Sequence, residues 1–358
     1  MKVIFITRSM WAGGAERVIT ELVKHFTKIQ INCEIITIDD EKILYDIPKG
    51  VKIQPIGKQS SNASIDKVLR YKKLRDYVVN SKPDLVLTLP EDIGIYVIPS
   101  LLGTNIPVVV SERNNPWVMP WKKETRFLRN IFYPFAKGFV FQTEGAANFF
   151  SKKIREKSVI LPNPLDLNQI PVLKSERRKE IIGAGRLDKQ KNFPLLIKAF
   201  ARFYETNKDY VLTIYGEGTL RNELNELASS LLPQGAFQFP GRKEDLLERI
   251  NGGAMFVLSS DYEGMPNVVI EAMAMGVPVI STNCPTGGPA ELIDDGVNGL
   301  LVPVGDLDAM IEAMCKVAGS SILAKKLGRN ALKIRERLDA TVIAEEWLKF
   351  IKFVVFNK

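Results

Sequence analysis

Short apolar runs alternate with helix-length amphipathic segments twice over, with a proline-dense break between the two series, and this pattern restricts the chain to a pair of parallel α/β domains. The first series predicts strands near Val3 to Thr7, Glu34 to Ile38, Leu85 to Thr88, Val108 to Val110, Gly138 to Phe141 and Val159 to Leu161. Helical segments fall between most of them, as parallel strands require. Leu161-Pro162-Asn163-Pro164 through Pro171 then interrupts the pattern and reads as a linker. A second alternation begins at Ile181 and continues through Val211 to Tyr215, Ala236 to Phe239, Met255 to Leu258 and Val277 to Ile280. Ala309 to Val317 and Ser321 to Arg337 read as helices, and Glu345 to Phe356, with Trp347, Phe350, Ile351, Val354 and Val355, as an amphipathic one. A chain of 358 residues exceeds one typical core and suits two domains.

Within the second series, Glu263-Gly264-Met265-Pro266-Asn267-Val268-Val269-Ile270-Glu271 sets two carboxylates eight residues apart across a turn-to-helix junction. Met255 to Leu258 is the buried strand before it, Ser259 to Gly264 the turn, and Pro266 the expected first residue of the helix. Helix side chains lean toward the N-terminus, so Glu271 can reach the space that the unbonded amides of the first turn face. Those amides and the helix dipole favour phosphates, while two carboxylates accept from vicinal hydroxyls; a sugar nucleotide suits both demands. A second β-to-α loop, Gly183-Ala184-Gly185-Arg186-Leu187-Asp188-Lys189-Gln190-Lys191-Asn192, adds Arg186 as a directional fork and Lys191 as a mobile point charge. Ligands of open α/β sheets bind at the carboxyl ends of strands, where both loops are expected. Each motif alone suits an exposed surface turn. Their pairing points to one site, in which two cations and a helix start hold a diphosphate without a metal ion.

With these residues the chain resembles the retaining glycosyltransferases of family 4, also called group 1 glycosyltransferases. The resemblance runs almost end to end, through Gly13-Gly14-Ala15-Glu16, Ser111-Glu112-Arg113-Asn114, Gly185-Arg186-Leu187-Asp188 with Lys191-Asn192, Tyr215-Gly216-Glu217-Gly218, Glu263 to Glu271, and Gly287-Gly288-Pro289-Ala290-Glu291. It implies a GT-B arrangement of two Rossmann-like domains facing a central cleft. Residues 1–164 would form an acceptor-binding domain, with 342–358 packing back on it, and 165–341 the nucleotide-sugar-binding domain. The nearest members build bacterial capsular and exopolysaccharide repeat units on a lipid carrier. By resemblance Arg186, Lys191 and Glu263 are catalytic: the two cations hold the donor diphosphate, Glu263 the donor sugar and Glu271 the ribose. Gly14, Gly185, Gly264, Met265 and Asn267 complete the donor site, the Gly13-Gly14 loop reaching it from the opposite domain. The nucleotide sugar, expected to be a UDP-sugar carrying a hexose or N-acetylhexosamine, is a substrate, so no cofactor and no metal are implied.

Many members of that family carry a His where this chain has Arg113, and the only His here is His25, expected on the less apolar side of a helix with Val18, Ile19, Leu22, Val23 and Phe26. Arg113 is permanently cationic and cannot serve as a general base. Retaining chemistry of this kind lets the departing phosphate take the acceptor proton, leaving Arg113 to neutralise that phosphate or to bind the acceptor, with Glu112 beside it as the nearby carboxylate.

Charge is informative once divided. Residues 1–164 hold 25 Lys and Arg against 16 Asp and Glu, and the remainder 24 against 25. The basic excess therefore lies in the first half and predicts an anionic partner there, not nucleic acid but a lipid-linked saccharide and an anionic membrane surface. Lys67, Arg70 and Lys73 recur at helical spacing as acceptor-side candidates. Trp117, Met119, Trp121, Lys122, Lys123, Phe127 and Arg129 mix aromatics with cations, which suits either an interfacial surface or core aromatics under a lysine rim.

Three cysteines without zinc-like spacing fit a reducing cytosol, and no apolar run reaches the ~20 residues of a membrane span. The expectation is a cytoplasmic protein, peripheral on the inner face of the bacterial membrane. A dinucleotide-dependent dehydrogenase is excluded by the missing third glycine in Gly216-Glu217-Gly218-Thr219-Leu220-Arg221 and in the Gly183 loop. Asp261-Tyr262-Glu263 is the nearest approach to a metal-clamping Asp-x-Asp. A non-hydrolysing sugar-nucleotide epimerase, or a non-catalytic sugar-nucleotide-binding or membrane-docked scaffold, shares the fold and stands as the alternative.

Overall fold

The computed structural model describes residues 1–11, 13–39, 43–174 and 176–357. The chain divides into two compact units, Met1–Pro164 with Ala340–Lys358, and Leu165–Asp339.

The first unit is built on a parallel sheet of β1 (Lys2–Thr7), β2 (Asn32–Thr37), β3 (Lys52–Pro55), β4 (Leu85–Thr88), β5 (Val108–Ser111), β6 (Gly138–Phe141) and β7 (Ser158–Ile160). Their order is β3-β2-β1-β4-β5-β6-β7. Val3 to Ile6, Leu85 to Leu87 and Val108 to Val110 are buried, as near-continuous apolar strands covered on both faces must be. The crossovers are α1 (Gly14–Lys28), α2 (Ala63–Ser81), α3 (Glu91–Leu101), α4 (Lys123–Phe132), α5 (Glu144–Asn148) and α6 (Lys152–Arg155). Val18, Ile19, Leu22, Val23 and Phe26 form the buried stripe of α1, and His25 stands half-buried beside it with its ring edge-on to Phe26.

The second unit repeats the plan with β8 (Arg178–Ala184), β9 (Val211–Tyr215), β10 (Phe237–Gly241), β11 (Gly253–Leu258), β12 (Val279–Thr282) and β13 (Leu300–Val302), in the order β10-β9-β8-β11-β12-β13. Its helices are α7 (Phe193–Tyr204), α8 (Arg221–Leu231), α9 (Leu246–Asn251), α10 (Asn267–Ala274), α11 (Leu307–Gly319), α12 (Ser321–Ala331) and α13 (Ile334–Arg337). The last helix, α14 (Ala340–Phe356), belongs to the first unit, where it packs on α1 with Trp347 and Ile351 buried. In both sheets the strand order reverses beside the first strand, between β1 and β4 and between β8 and β11. These are the topological switch points at which doubly wound folds bind ligands.

Four sequence expectations need correction. The strands β3 and β13 were not expected; both are short edge strands, half-buried for most of their length, β3 mixing Lys52 and Gln54 with apolar residues and β13 offering an apolar run of only three residues. The single helix expected from Ser321 to Arg337 is two, α12 and α13, turning at Leu332 and Lys333. The terminal helix begins at Ala340, five residues before the expected start. Pro266 is the extended N-cap residue of α10 (φ −77°, ψ 109°) and not its first helical residue, so the helix opens with Asn267. No helix among the described residues is long and apolar enough to cross a membrane.

Candidate functional site

The switch point of the second unit is assembled from the loops that follow β8, β11 and β12. Gly185 leaves β8 with φ 156°, and a Cβ there would stand 2.9 Å from Lys191 Cε, so the absent side chain makes room for the lysine to lie across the loop. Asp188 then caps the 3₁₀ turn Lys189–Lys191 by accepting from the Lys191 amide at 3.3 Å. Asn192 follows in the left-handed region, which its short polar side chain tolerates, and caps α7 by accepting from the Leu195 amide.

The β11 loop is stitched to this turn. The Ser259 hydroxyl donates to the Lys191 carbonyl at 2.8 Å, the Asp261 amide to the Gln190 carbonyl at 2.9 Å, and Asn192 Nδ2 to Asp261 Oδ1 at 2.7 Å. The end of β12 and the loop after it also brace it: Thr282 Oγ1 donates to the Ser260 carbonyl at 2.6 Å and Thr286 Oγ1 to the Glu263 carbonyl at 2.9 Å. Gly288 lies so close that a Cβ would meet the Gly264 carbonyl oxygen at 1.5 Å. The buried Cys284 thiol touches the same Ser260 carbonyl, and burial pushes it up to about 12.

The result is a connected set of charges. Lys191 Nζ meets Glu263 Oε1 at 2.6 Å, and the Ser260 hydroxyl donates to the same oxygen at 2.6 Å. Gln190 joins this pair to Arg186: its Oε1 accepts from Arg186 Nη2 at 3.2 Å, while Nε2 donates to the Tyr262 carbonyl at 3.0 Å and to Glu263 Oε2 at 3.4 Å. Arg186 also pairs with Asp188 at 3.4 Å. Exposure separates the roles. Lys191 and Glu263 keep 14% and 7% of their side-chain surface, whereas Arg186 keeps 73%, so the pair is a fixed, desolvated unit and the guanidinium a solvent-facing arm. Gly264 and Met265 continue the Glu263 loop into Asn267 at the start of α10, whose N-cap residue Pro266 has no side-chain donor or acceptor, and Glu271 is carried, buried, one turn later. Gln190, Ser260 and Thr286 were missed from sequence. Gln190 lay inside the recognised loop but, being neutral, gave no charge signal.

The first-unit candidates are placed differently. Gly14 opens α1 after Gly13, whose backbone exchanges hydrogen bonds with the Tyr45 hydroxyl at 3.2 and 2.8 Å. Glu112, expected near the acceptor, is buried behind β5 and accepts from the Tyr133 hydroxyl at 2.5 Å. Burial raises it to about 8, with the Glu91 carboxyl adding to the effect, and burial raises Glu91 to about 7. Arg113 donates to Ser111 Oγ at 3.3 Å and to Asn163 Oδ1. Of the basic helix, Arg70 is engaged by Asp39 at 2.9 Å and Asp66 at 3.8 Å, and Lys73 donates to the Ile56 carbonyl at 2.7 Å. These two cations therefore hold α2 to its neighbours, and Lys67 alone of the three is exposed.

Comparison with known proteins bears on both units. The model described as glycosyl transferases group 1 matches residues 167–334, and that described as Glycosyltransferase Family 4 matches residues 12–169. The chain is 29% identical, over 98% of both chains, to an alpha-1,4-N-acetyl-D-galactosaminyltransferase of Campylobacter jejuni whose named acceptor is a diNAcBac-PP-undecaprenol saccharide. It is 28% identical, over 96% of this chain and 97% of the other, to a second enzyme of that organism, a 4-alpha-N-acetylgalactosaminyltransferase named for a diphospho-undecaprenol acceptor. Among solved structures, Anabaena HepE in complex with UDP-glucose superposes with a TM-score of 0.84 at 16% identity, covering 98% of this chain and 99% of that one, a likeness of fold.

Proposed function

Because the chain belongs to the group 1 glycosyltransferases and carries their GT-B pair of Rossmann-like domains, we propose that it moves a hexose or N-acetylhexosamine from a UDP-sugar to a lipid-linked saccharide. The transfer retains configuration, needs no metal ion, and serves synthesis of a bacterial surface polysaccharide at the cytoplasmic face of the membrane. One observation carries this reading: Arg186, Gln190, Glu263 and Lys191 form a single network across the β8–β11 switch point.

In this reading Arg186 and Lys191 neutralise the diphosphate, and Gly185 admits it to the loop. Gly264, Met265 and Asn267 bring the positive end of the α10 dipole to the phosphates, Glu271 takes the ribose hydroxyls, Glu263 orients the sugar, and Gly14 is a donor-binding residue of the first unit. The bond between the anomeric carbon and the β-phosphate oxygen breaks, and its electron pair leaves with the nucleoside diphosphate. An acceptor hydroxyl forms the new bond on the same face and gives its proton to the departing phosphate oxygen, so no protein base is called for. Negative charge grows on that phosphate as the bond lengthens, and fixed cations hold it more tightly then than in the ground state. Asp261 and Glu263 already accept from Asn192, Lys191 and Ser260, which supports cationic side chains in the place a divalent ion takes elsewhere.

The acceptor side rests on the basic first unit and on relatives named for diphospho-undecaprenol acceptors. Lys67 and Arg113 are its leading cations; Glu112, Arg70 and Lys73 act on it only through the positions they fix. The deciding experiment incubates the protein, with EDTA, against UDP-, GDP- and ADP-sugars and a diphospho-polyprenyl saccharide, then determines the product's anomeric configuration. The expected product is an α-linked sugar from the UDP series. Inversion, or dependence on added metal, would overturn the mechanism.

A further inference from the structure

The helix α4 is built inside out. Its inward side carries Arg126, which donates to the carbonyls of Val118, Pro120 and Trp121 at 2.8, 2.9 and 3.1 Å, and buried Arg129, which donates to those of Met119 and Pro116, both at 2.9 Å. Arg129 also lies over the rings of Phe149 and Phe150, at 4.7 and 5.2 Å. The two guanidinium forks thus hold the 116–121 loop in one shape, work that arginine geometry suits. The apolar side chains go the other way. Phe127, Leu128 and Ile131, at one-face helical spacing, are all exposed, Phe127 by 65%. Trp121 on the loop and Phe135 just after the helix are exposed by 63% and 59%. A soluble helix would show the reverse pattern.

Cations flank this apolar ridge. Lys122 and Lys123 are exposed at its start, and Phe135 sits in the 3₁₀ turn Tyr133–Phe135, which packs on α6. Beyond that turn Lys137, Lys153 and Lys157 lie close enough that the first two, after burial, depress the third. Within residues 121–137 and 151–157 the exposed carboxylates are Glu124, and Glu156 paired to Lys152 at 3.8 Å. A second copy of the chain is a poor occupant, because a two-fold interface would set like-charged lysine groups against each other. An anionic bilayer takes both features at once: the aromatic and aliphatic groups enter the headgroup boundary, and the ammonium groups reach lipid phosphates.

From this we infer that the outer face of α4, with Trp121 and Phe135, is the surface by which the protein docks on an anionic phospholipid bilayer. The inference rests on the reading of a lipid-linked acceptor for its purpose, but its test does not depend on turnover. The full chain is sedimented with vesicles of phosphatidylglycerol and phosphatidylethanolamine, and with vesicles of phosphatidylcholine alone. Wild type should bind the first strongly and the second weakly. Substituting Trp121→Ser, Phe127→Ser and Ile131→Ser together should abolish binding to both, and Lys137→Gln with Lys153→Gln should weaken only the anionic arm, by roughly fivefold per lysine. All five positions are exposed, so an unchanged thermal transition separates lost docking from lost folding. Transfer to a short, water-soluble diphospho-prenyl acceptor should persist in every variant. Vesicle binding by the triple variant at the wild-type level would overturn the inference, as would a wild-type dimer that the triple variant converts to monomer. Vesicle binding that follows the pattern above, with no transfer to any lipid-linked acceptor, would sink the activity proposed earlier and leave the docking face standing.

Discussion

Replacing Glu263 by Gln should make the protein bind free UDP more tightly while making it a poorer transferase. Lys191 Nζ holds Glu263 Oε1 at 2.6 Å, so part of the charge offered to a diphosphate is already neutralised from within. A phosphate oxygen bonded to another proton of that tetrahedral ammonium would stand about 4 Å from the carboxylate. Two unit charges at that separation repel by roughly 4 kcal/mol at an effective dielectric of 20. The Ser260 and Gln190 donors already screen this carboxylate, so a third to two-thirds of that should be recovered, or about tenfold to hundredfold in Kd. Glutamine keeps an acceptor for Lys191, so the fold should hold, which a thermal scan checks. Turnover should fall by on the order of 10² to 10³, because the group that orients the sugar loses its charge. Calorimetry with UDP and initial rates with the UDP-sugar read the two effects separately. Weaker UDP binding in a normally folded variant would refute the argument, since Glu263 would then be aiding the phosphate and not competing with it.

Arg186→Ala should lower kcat/KM by on the order of 10² to 10³, with little change in stability since the side chain is mostly exposed; a loss below about threefold in steady-state kinetics would remove it from the phosphate. Glu271→Ala should weaken UDP binding in calorimetry, and an unchanged affinity would take Glu271 off the ribose. Gly288→Ala must push the β12 loop away from the Gly264 carbonyl and should destabilise the second unit by about 1–3 kcal/mol in denaturant unfolding, with donor binding lost in parallel. Glu91 and Glu112 are raised on folding, to about 7 and 8, so the folded state holds protons that the unfolded chain, titrating near 4.5, releases. Their contribution is therefore complete below pH 4.5 and lost as pH rises toward 8. Glu112→Gln should flatten this decline in Tm between pH 5 and 8, and an unaltered slope would mean that the carboxyl is ionised inside the fold.

Most of the sheet architecture was legible because parallel strands buried on both faces cannot hide: β4 and β6 stand where their apolar runs were read. β3, which mixes polar and apolar residues, and β13, three residues long, carry a weaker signal and escaped, whereas the edge strands β7 and β10 were read. The donor-site loops were recognisable from their glycines and charges, yet no residue pattern marks Lys191 and Glu263 as facing one another. That depends on Ser259, Asp261 and Thr286 tying three loops together through backbone carbonyls, a pattern without residue-type specificity. The basic helix was read as a binding surface from spacing alone; Arg70 and Lys73 turn out to be fastened to Asp39, Asp66 and the Ile56 carbonyl. Likewise Glu112 looked available beside Arg113, and only three-dimensional packing puts it under Tyr133.

The division of labour in α4 leaves its two sides under unlike constraints. Arg126 and Arg129 answer to the carbonyls of one particular loop, so a change in either should spoil the local shape. Phe127 and Ile131 are exposed, and their replacement by small polar groups such as serine carries little cost to the architecture. Adhesion strength can therefore be retuned one residue at a time, by selection or at the bench, and a serine-faced version offers a readily handled form of the protein with its interior untouched.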